Sequence, residues 1–164
     1  MASADTLAVF TPQSNEPPSA NYATFDTRNG IGVLDFDAAT EESAIVRGIL
    51  PRNYAGGGLT VTSYWMATSA TSGDIKVGTS IERDNVAGTD LDADSFATEQ
   101  TGTGTADATS GKVFSVVTTH TSGANMDSLA AGEPFRLKIA RKAADGADTM
   151  TGDAELLVVE IKET

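Results

Sequence analysis

The feature that most constrains this chain is a period of two. In Ile75-Lys76-Val77-Gly78-Thr79-Ser80-Ile81-Glu82, Ile75, Val77 and Ile81 fall on one face and polar or small residues on the other. Successive side chains of an extended strand point to opposite faces, so the pattern describes a half-buried β-strand and no helix. Phe135-Arg136-Leu137-Lys138-Ile139 repeats it, and Leu59 to Met66 sets Leu59, Val61 and Trp65 on one side. Ala44 to Leu50, stopped by Pro51, and Val113 to Thr119 read as further strands. Residues 97–105 alternate threonine with glycine, the composition of a weak polar strand near an edge. Leu156 to Ile161 carries apolar residues on both faces, which implies a strand covered from two sides or packed on a neighbouring chain. Glycine, asparagine, aspartate and serine break the runs, and Thr68 to Asp74 reads as a hairpin connection between the Leu59 and Ile75 strands. The one plausible helical turn, Met126 to Ala131, is stopped by Gly132 and Pro134. Seven or eight strands after residue 41, without helical periodicity, predict an all-β fold of two antiparallel sheets packed as a sandwich.

The start of the chain is different. Thr11-Pro12-Gln13-Ser14-Asn15-Glu16-Pro17-Pro18 holds three prolines that block a helix or a central strand. We therefore divide the chain into an extended N-terminal arm with a short strand at 1–40 and a sandwich at 41–164. Within the arm, Arg28-Asn29-Gly30 is a turn signal leading into the strand Ile31 to Phe36, with Leu34 and Phe36 on one face. Pro12, Pro17, Pro18, Tyr22 and Phe25 are its expected partner-binding residues, the neighbour being either its own domain or another subunit.

Charge and inventory remove several functions. Lys and Arg total 11 against 23 Asp and Glu, a net charge of −12, and this field repels a polyanion, so no nucleic-acid partner is expected. There is no cysteine, which excludes disulfides, thiol nucleophiles and Cys-based metal sites. The opening Met1-Ala2-Ser3-Ala4-Asp5 lacks a charged region followed by an apolar stretch, and no run is long enough to span a bilayer. The expectation is a protein made in a cytoplasm, with no membrane partner.

Candidate chemistry is sparse. Asp90, Asp92 and Asp94 alternate in the manner of a hard-cation loop, but an EF-hand needs Gly where Ser95 stands and Glu where Thr101 stands, so the reading is a solvated acidic turn and no metal is expected. Asp145, Asp148 and Asp153 lie around glycines and suit turn capping. Glu41-Glu42 and Asp35/Asp37 offer carboxylates for glycoside hydrolysis without an aromatic platform beside them. His120, the sole histidine, has no G-x-S-x-G elbow to complete a nucleophilic triad and reads as a strand-end polar residue. The Gly56 to Gly58 run and Gly102/Gly104 lack the lysine and following helix of a phosphate loop. No catalytic residue and no cofactor is expected. Arg136, Lys138, Arg141 and Lys142 gather four cations within seven residues and form a possible assembly stripe, to be weighed against a solvated face paired to nearby carboxylates.

Three stretches together carry a resemblance. Arg28-Asn29-Gly30 through Leu34-Asp35-Phe36-Asp37 is the first; Gly57-Gly58-Leu59-Thr60-Val61 with Trp65 and Ser72-Gly73-Asp74 is the second. Ala131-Gly132-Glu133 with Arg136-Leu137 and Asp148 through Gly152-Asp153-Ala154 is the third. Over most of residues 25–162 the chain resembles a group of small tailed-bacteriophage virion proteins with a jelly-roll domain, of the capsid decoration or cement type. The resemblance implies a jelly-roll sandwich, a homotrimer seated on the major capsid protein between capsomers, and a place on the outer surface of the head. Its motifs are turn and strand features, so no functional residues carry over. Related sandwiches in tail appendages imply an alternative, a tail-tip or fibre module binding host-surface glycans, with Tyr54, Tyr64 and Trp65 near the Gly56 to Gly58 loop as its contact area.

Overall fold

The computed structural model describes residues 5–164, so residues 1–4 of the expected arm lie outside the described residues. Ten strands follow in order: β1 Thr6–Phe10, β2 Thr24–Arg28, β3 Ile31–Phe36, β4 Glu42–Ile49, β5 Leu59–Ala67, β6 Asp74–Arg83, β7 Gln100–Thr105, β8 Phe114–His120, β9 Pro134–Arg141 and β10 Ala154–Glu163. One sheet runs β2-β3-β10-β5-β8 with β1 also on β10, and the other runs β4-β9-β6-β7. All ladders are antiparallel. From β3 onward the chain passes back and forth between the sheets, four strands in each, which is the jelly roll. No helix among the described residues is long and apolar enough to cross a membrane.

The alternation read from sequence is what faces the core. Ile75, Val77 and Ile81 of β6, Leu59, Val61 and Trp65 of β5, and Leu137 and Ile139 of β9 are all buried between the sheets. Trp65 packs edge-on against Phe36 of β3 with ring centroids 5.0 Å apart, and its indole N–H donates to Ser63 Oγ at 2.7 Å. That satisfies the one polar atom the ring brings into the core.

Two sequence expectations change, and a third is narrowed. Thr68 to Asp74 is not a hairpin, because β5 and β6 belong to opposite sheets; its small polar residues make an inter-sheet crossing instead. The apolar run Leu156 to Ile161 is not covered from two sides. The register slips between Leu156 and Val158, and this bulge changes which parity faces inward, so Leu156, Val159 and Ile161 are all core while Leu157 and Val158 are half-buried. Third, of the two neighbours open to the first forty residues, the structure shows the chain's own body: β3 is a sandwich strand whose Leu34 and Phe36 are core residues, and residue 40 falls in the turn between β3 and β4.

The N-terminal segment is a strap. β1 and β3 lie end to end along the same edge of β10, which pairs with β3 through residues 154–156 and with β1 through residues 159–162. The Phe10 ring then crosses to the other sheet, edge-on to Phe135 at 6.4 Å and over Gly48, where a Cβ would stand 2.9 Å from Phe10 Cζ. After the 3₁₀ turn Pro12–Ser14 the chain reaches edge strand β4: Ile45 N–H donates to Asn15 Oδ1, Glu16 N–H to the Ile45 carbonyl, and Asn21 and Ala23 exchange backbone hydrogen bonds with Ser43. On the opposite flank β7 lies directly against β8. A Cβ on Gly102 would stand 2.2 Å from the Val117 carbonyl oxygen, and one on Gly104 2.7 Å from that of Ser115. The Thr-Gly alternation of β7 therefore turns glycine to the seam and threonine to solvent.

Candidate functional site

The strap gathers four of the five expected partner-binding residues. Pro12, Pro17, Tyr22 and Phe25, with Gln13, Asn15, Ala23, Thr24 and Leu34, line a groove of about 300 Å³ on the flank of the sandwich. Pro12 is buried against the chain's own body, and Pro18 stands outside the lining.

A cleft of about 370 Å³ opens at one end of the sandwich between the loops 50–58 and 121–133. Tyr54, Ala55, Gly56, Ser122, Gly123 and residues 128–131 line it. The Tyr54 hydroxyl accepts from Gly58 N–H at 2.8 Å and lies 3.7 Å from Met126 Sδ, which fixes the ring. Glu163 of β10, buried at the same end, accepts the Ala55 and Gly57 amides on Oε1 and so shapes the loop. Across the cleft, consecutive residues Asp127 and Ser128 both take left-handed backbone, φ 52° and 55°, and turn the chain after the 3₁₀ turn Ala124–Met126. No carboxylate, imidazole, amine or thiol lines this cleft.

Of the predicted glycan contacts, only Tyr54 is in the cleft. Trp65 is wholly buried, and Tyr64, of opposite parity on β5, lies on the outer face of its sheet. The missed residues, Ser122, Ser128 and Ala130, sit in a stretch without periodicity, and only the left-handed pair and the stop at Gly132 shape them.

The basic stripe is already occupied by the protein itself. Arg136 donates to both oxygens of Glu82 at 2.6 Å, and Arg136 and Lys138 both stand over the Phe96 ring, at 5.2 and 5.4 Å from its centroid. Lys142 pairs with Glu41 and Glu99. Arg141 is not on the stripe at all, being fully buried with Asp148, which is thus an ion-pair partner rather than a turn cap. Own carboxylates and the loop carrying Phe96 consume the charges a partner was expected to meet.

Asp90, Asp92 and Asp94 are exposed, and Asp90 and Asp94 accept amides of their own turn. No group of metal-capable side chains is assembled among the described residues. His120 is buried at the end of β8, with Nε2 2.8 Å from Thr79 Oγ1 and Nδ1 3.1 Å from the Asn125 carbonyl; no carboxylate orients it. Burial pushes its pKa below the usual imidazole value, against the smaller effect of the Asn125 hydrogen bond. Among the carboxylates, Asp35 is the unusual one. Burial, then the charges of Asp153, Glu155, Asp26 and Glu42, push it up to about 6, and its Oδ1 has no hydrogen-bond partner. Neither cleft includes Asp35, and its ladder partner Glu155 is held by Arg28 at 2.6 Å.

No protein-family profile matches the sequence, and no curated protein matches it. Among solved structures, the chain is similar to the xylan-binding domain CBM22-2 of Paenibacillus barcinonensis Xyn10C, at 13% identity over 92% of each chain and a TM-score of 0.49. It is also similar to the carbohydrate-binding module CBM6cm-2 of Cellvibrio mixtus lichenase 5A, at 14% identity over 98% of this chain and 99% of that one, with a TM-score of 0.44. The family 30 carbohydrate-binding module of Clostridium thermocellum Cel9D-Cel44B gives 10% identity over 99% and 95%, with a TM-score of 0.45. At these identities and scores no ligand or activity passes to this chain.

Proposed function

We propose that the protein is a non-catalytic binding module that holds a neutral glycan in the Tyr54 cleft. The observation that carries this reading is the lining: one fixed aromatic ring, two serine hydroxyls and exposed loop backbone, with no charged side chain, in a protein of net charge −12. A pyranose offers an apolar ring face to stack on an aromatic and hydroxyls to pair with small polar groups, and pockets of this size and mixed lining suit such ligands. Titration with cellotriose, mannotriose and galactotriose, read by NMR shift changes, tests it. Shifts should map to residues 54–56 and 122–131 and vanish in Ala131→Arg, which fills the mouth from an exposed position. Saccharide binding unchanged by that substitution, or none to any of these sugars, overturns the reading.

A second reading places the module in a virion of a tailed phage, as a homotrimeric subunit on the major capsid protein at the outer face of the head. It is favoured by two exposed apolar residues: Ile49, the last residue of β4 and paired with Pro134 of β9, is 64% exposed, and Val86, three residues past the end of β6, is 82% exposed. Burial of both against a neighbouring subunit would remove them from water. A monomer by sedimentation at high concentration counts against the trimer, and copies confined to the tail of an intact particle count against the head.

A further inference from the structure

The flank groove is built like a second ligand site, remote from the end cleft. Tyr22 and Phe25 are 50% and 52% exposed in it. Phe25 lies on Gly32 of β3, where a Cβ would stand 3.2 Å from its Cε2 and Cζ, and the Gln13 amide nitrogen lies on the same glycine, 2.6 Å from that position. Glycine at 32 thus lets an aromatic ring and a side-chain amide settle side by side on the sheet edge. Asn15 and Thr24 add polar groups at the rim, and no lining residue is charged. The groove's volume is at the lower end of small-ligand sites, roughly 300 to 1,000 Å³. A stable protein interface needs about 800 Å² from each partner. Here the exposed charges of Asp26 and of Glu16, which pairs with Arg47, directly adjoin groove residues in sequence.

We propose that the Tyr22–Phe25 groove is a second binding site for a neutral saccharide, one residue stacking on the Phe25 ring with its hydroxyls met by Gln13 and Asn15. The inference rests on the glycan reading of the end cleft and makes the module bivalent. Two sites on different faces of one rigid body raise the avidity for a repeating glycan surface without new contacts.

The experiment is titration of the whole chain with cellotriose, mannotriose and galactotriose, followed per residue by NMR, in the wild type, Phe25→Ala, Phe25→Leu, Phe25→Trp and Ala131→Arg. A half-exposed side chain can be replaced without emptying the core, and an unchanged melting temperature confirms this for each variant. The expected result is a second saturating set of shifts at residues 13, 15, 22 and 25. It should weaken about tenfold in Phe25→Ala and Phe25→Leu, recover in Phe25→Trp, and persist in Ala131→Arg. Equal affinity in Phe25→Leu and the wild type overturns the stacking site, since leucine keeps the apolar surface and loses only the ring face. Shifts confined to the end cleft overturn it while leaving the module's function standing. Shifts at the groove alone support saccharide binding there but remove the Tyr54 cleft, and with it the bivalency. No shift at either site with any sugar removes both.

Discussion

Arg141 and Asp148 form an ion pair closed off from solvent: the guanidinium reaches the carboxylate at 2.9 and 3.1 Å, and both side chains are at most 1% exposed. Arg141 spends its remaining donors on the carbonyls of Phe36, Met150 and Gly152, and Asp148 also accepts the Lys76 amide. One side chain therefore ties β9, β3 and the loop before β10, with each charge both paired and hydrogen-bonded, the condition under which burial is tolerated.

Replacing Arg141 by Met should destabilise the fold by about 3–5 kcal/mol, because it strands the Asp148 charge and three buried carbonyls. Arg141→Lys should recover little of this, since an ammonium cannot reproduce the planar fork. Urea denaturation measures both; a loss below about 1 kcal/mol in Arg141→Met would show the pair to be replaceable.

Asp35 makes the fold weaker as pH rises. Its folded pKa, about 6, lies above the unfolded 3.8, so the native state binds the proton more tightly and stability declines between those values. Asp35→Asn should flatten that decline and add on the order of 1 kcal/mol at neutral pH, a figure reduced for solvent screening of a partly exposed group. Parallel pH–stability slopes in variant and wild type would contradict it.

His120 acts in the opposite sense. A carbonyl only accepts, so Nδ1 must carry the proton donated to Asn125, Nε2 accepts from the Thr79 hydroxyl, and Thr79 in turn accepts from Thr118 at 2.5 Å. With the folded pKa below 6.5, protonation favours the unfolded chain, and stability is lost as pH falls from 6.5 through the folded value. Nitrogen NMR of the ring should show the Nδ1–H tautomer and a midpoint under 6.5. A normal midpoint or the other tautomer would refute the network.

The seam between β7 and β8 predicts a contrast within one strand. Gly102→Ala, whose new carbon meets backbone, should cost about 1–3 kcal/mol, while Thr103→Ala on the exposed face should change stability by less than about 0.5 kcal/mol. Similar melting temperatures for the two variants would mean that the seam relaxes freely.

What could be read in advance was whatever depends on neighbours along the chain. The β6 alternation named its core residues correctly because strand geometry is local. The same parity places Arg141 inward, alongside Leu137 and Ile139, and His120 with Val116. Which sheet a strand joins is not local, so the turn composition at 68–74 looked like a hairpin. The glycines of β7 look like weakness until β8 is seen against them. At the groove, the prolines and aromatics of the sequence mark four of the lining residues, but Gln13 beside Phe25 follows only from both resting on Gly32.

The strap also works as a latch. It holds β10 through β1 and β4 through residues 15–23, so its release would unfasten one side of the sandwich while the glycine seam keeps the other shut. The groove is lined by strap residues between 12 and 25 and by Leu34 of β3, and a molecule lodged there would oppose the strap's release by mass action, slowing amide exchange along β4 more than along β8.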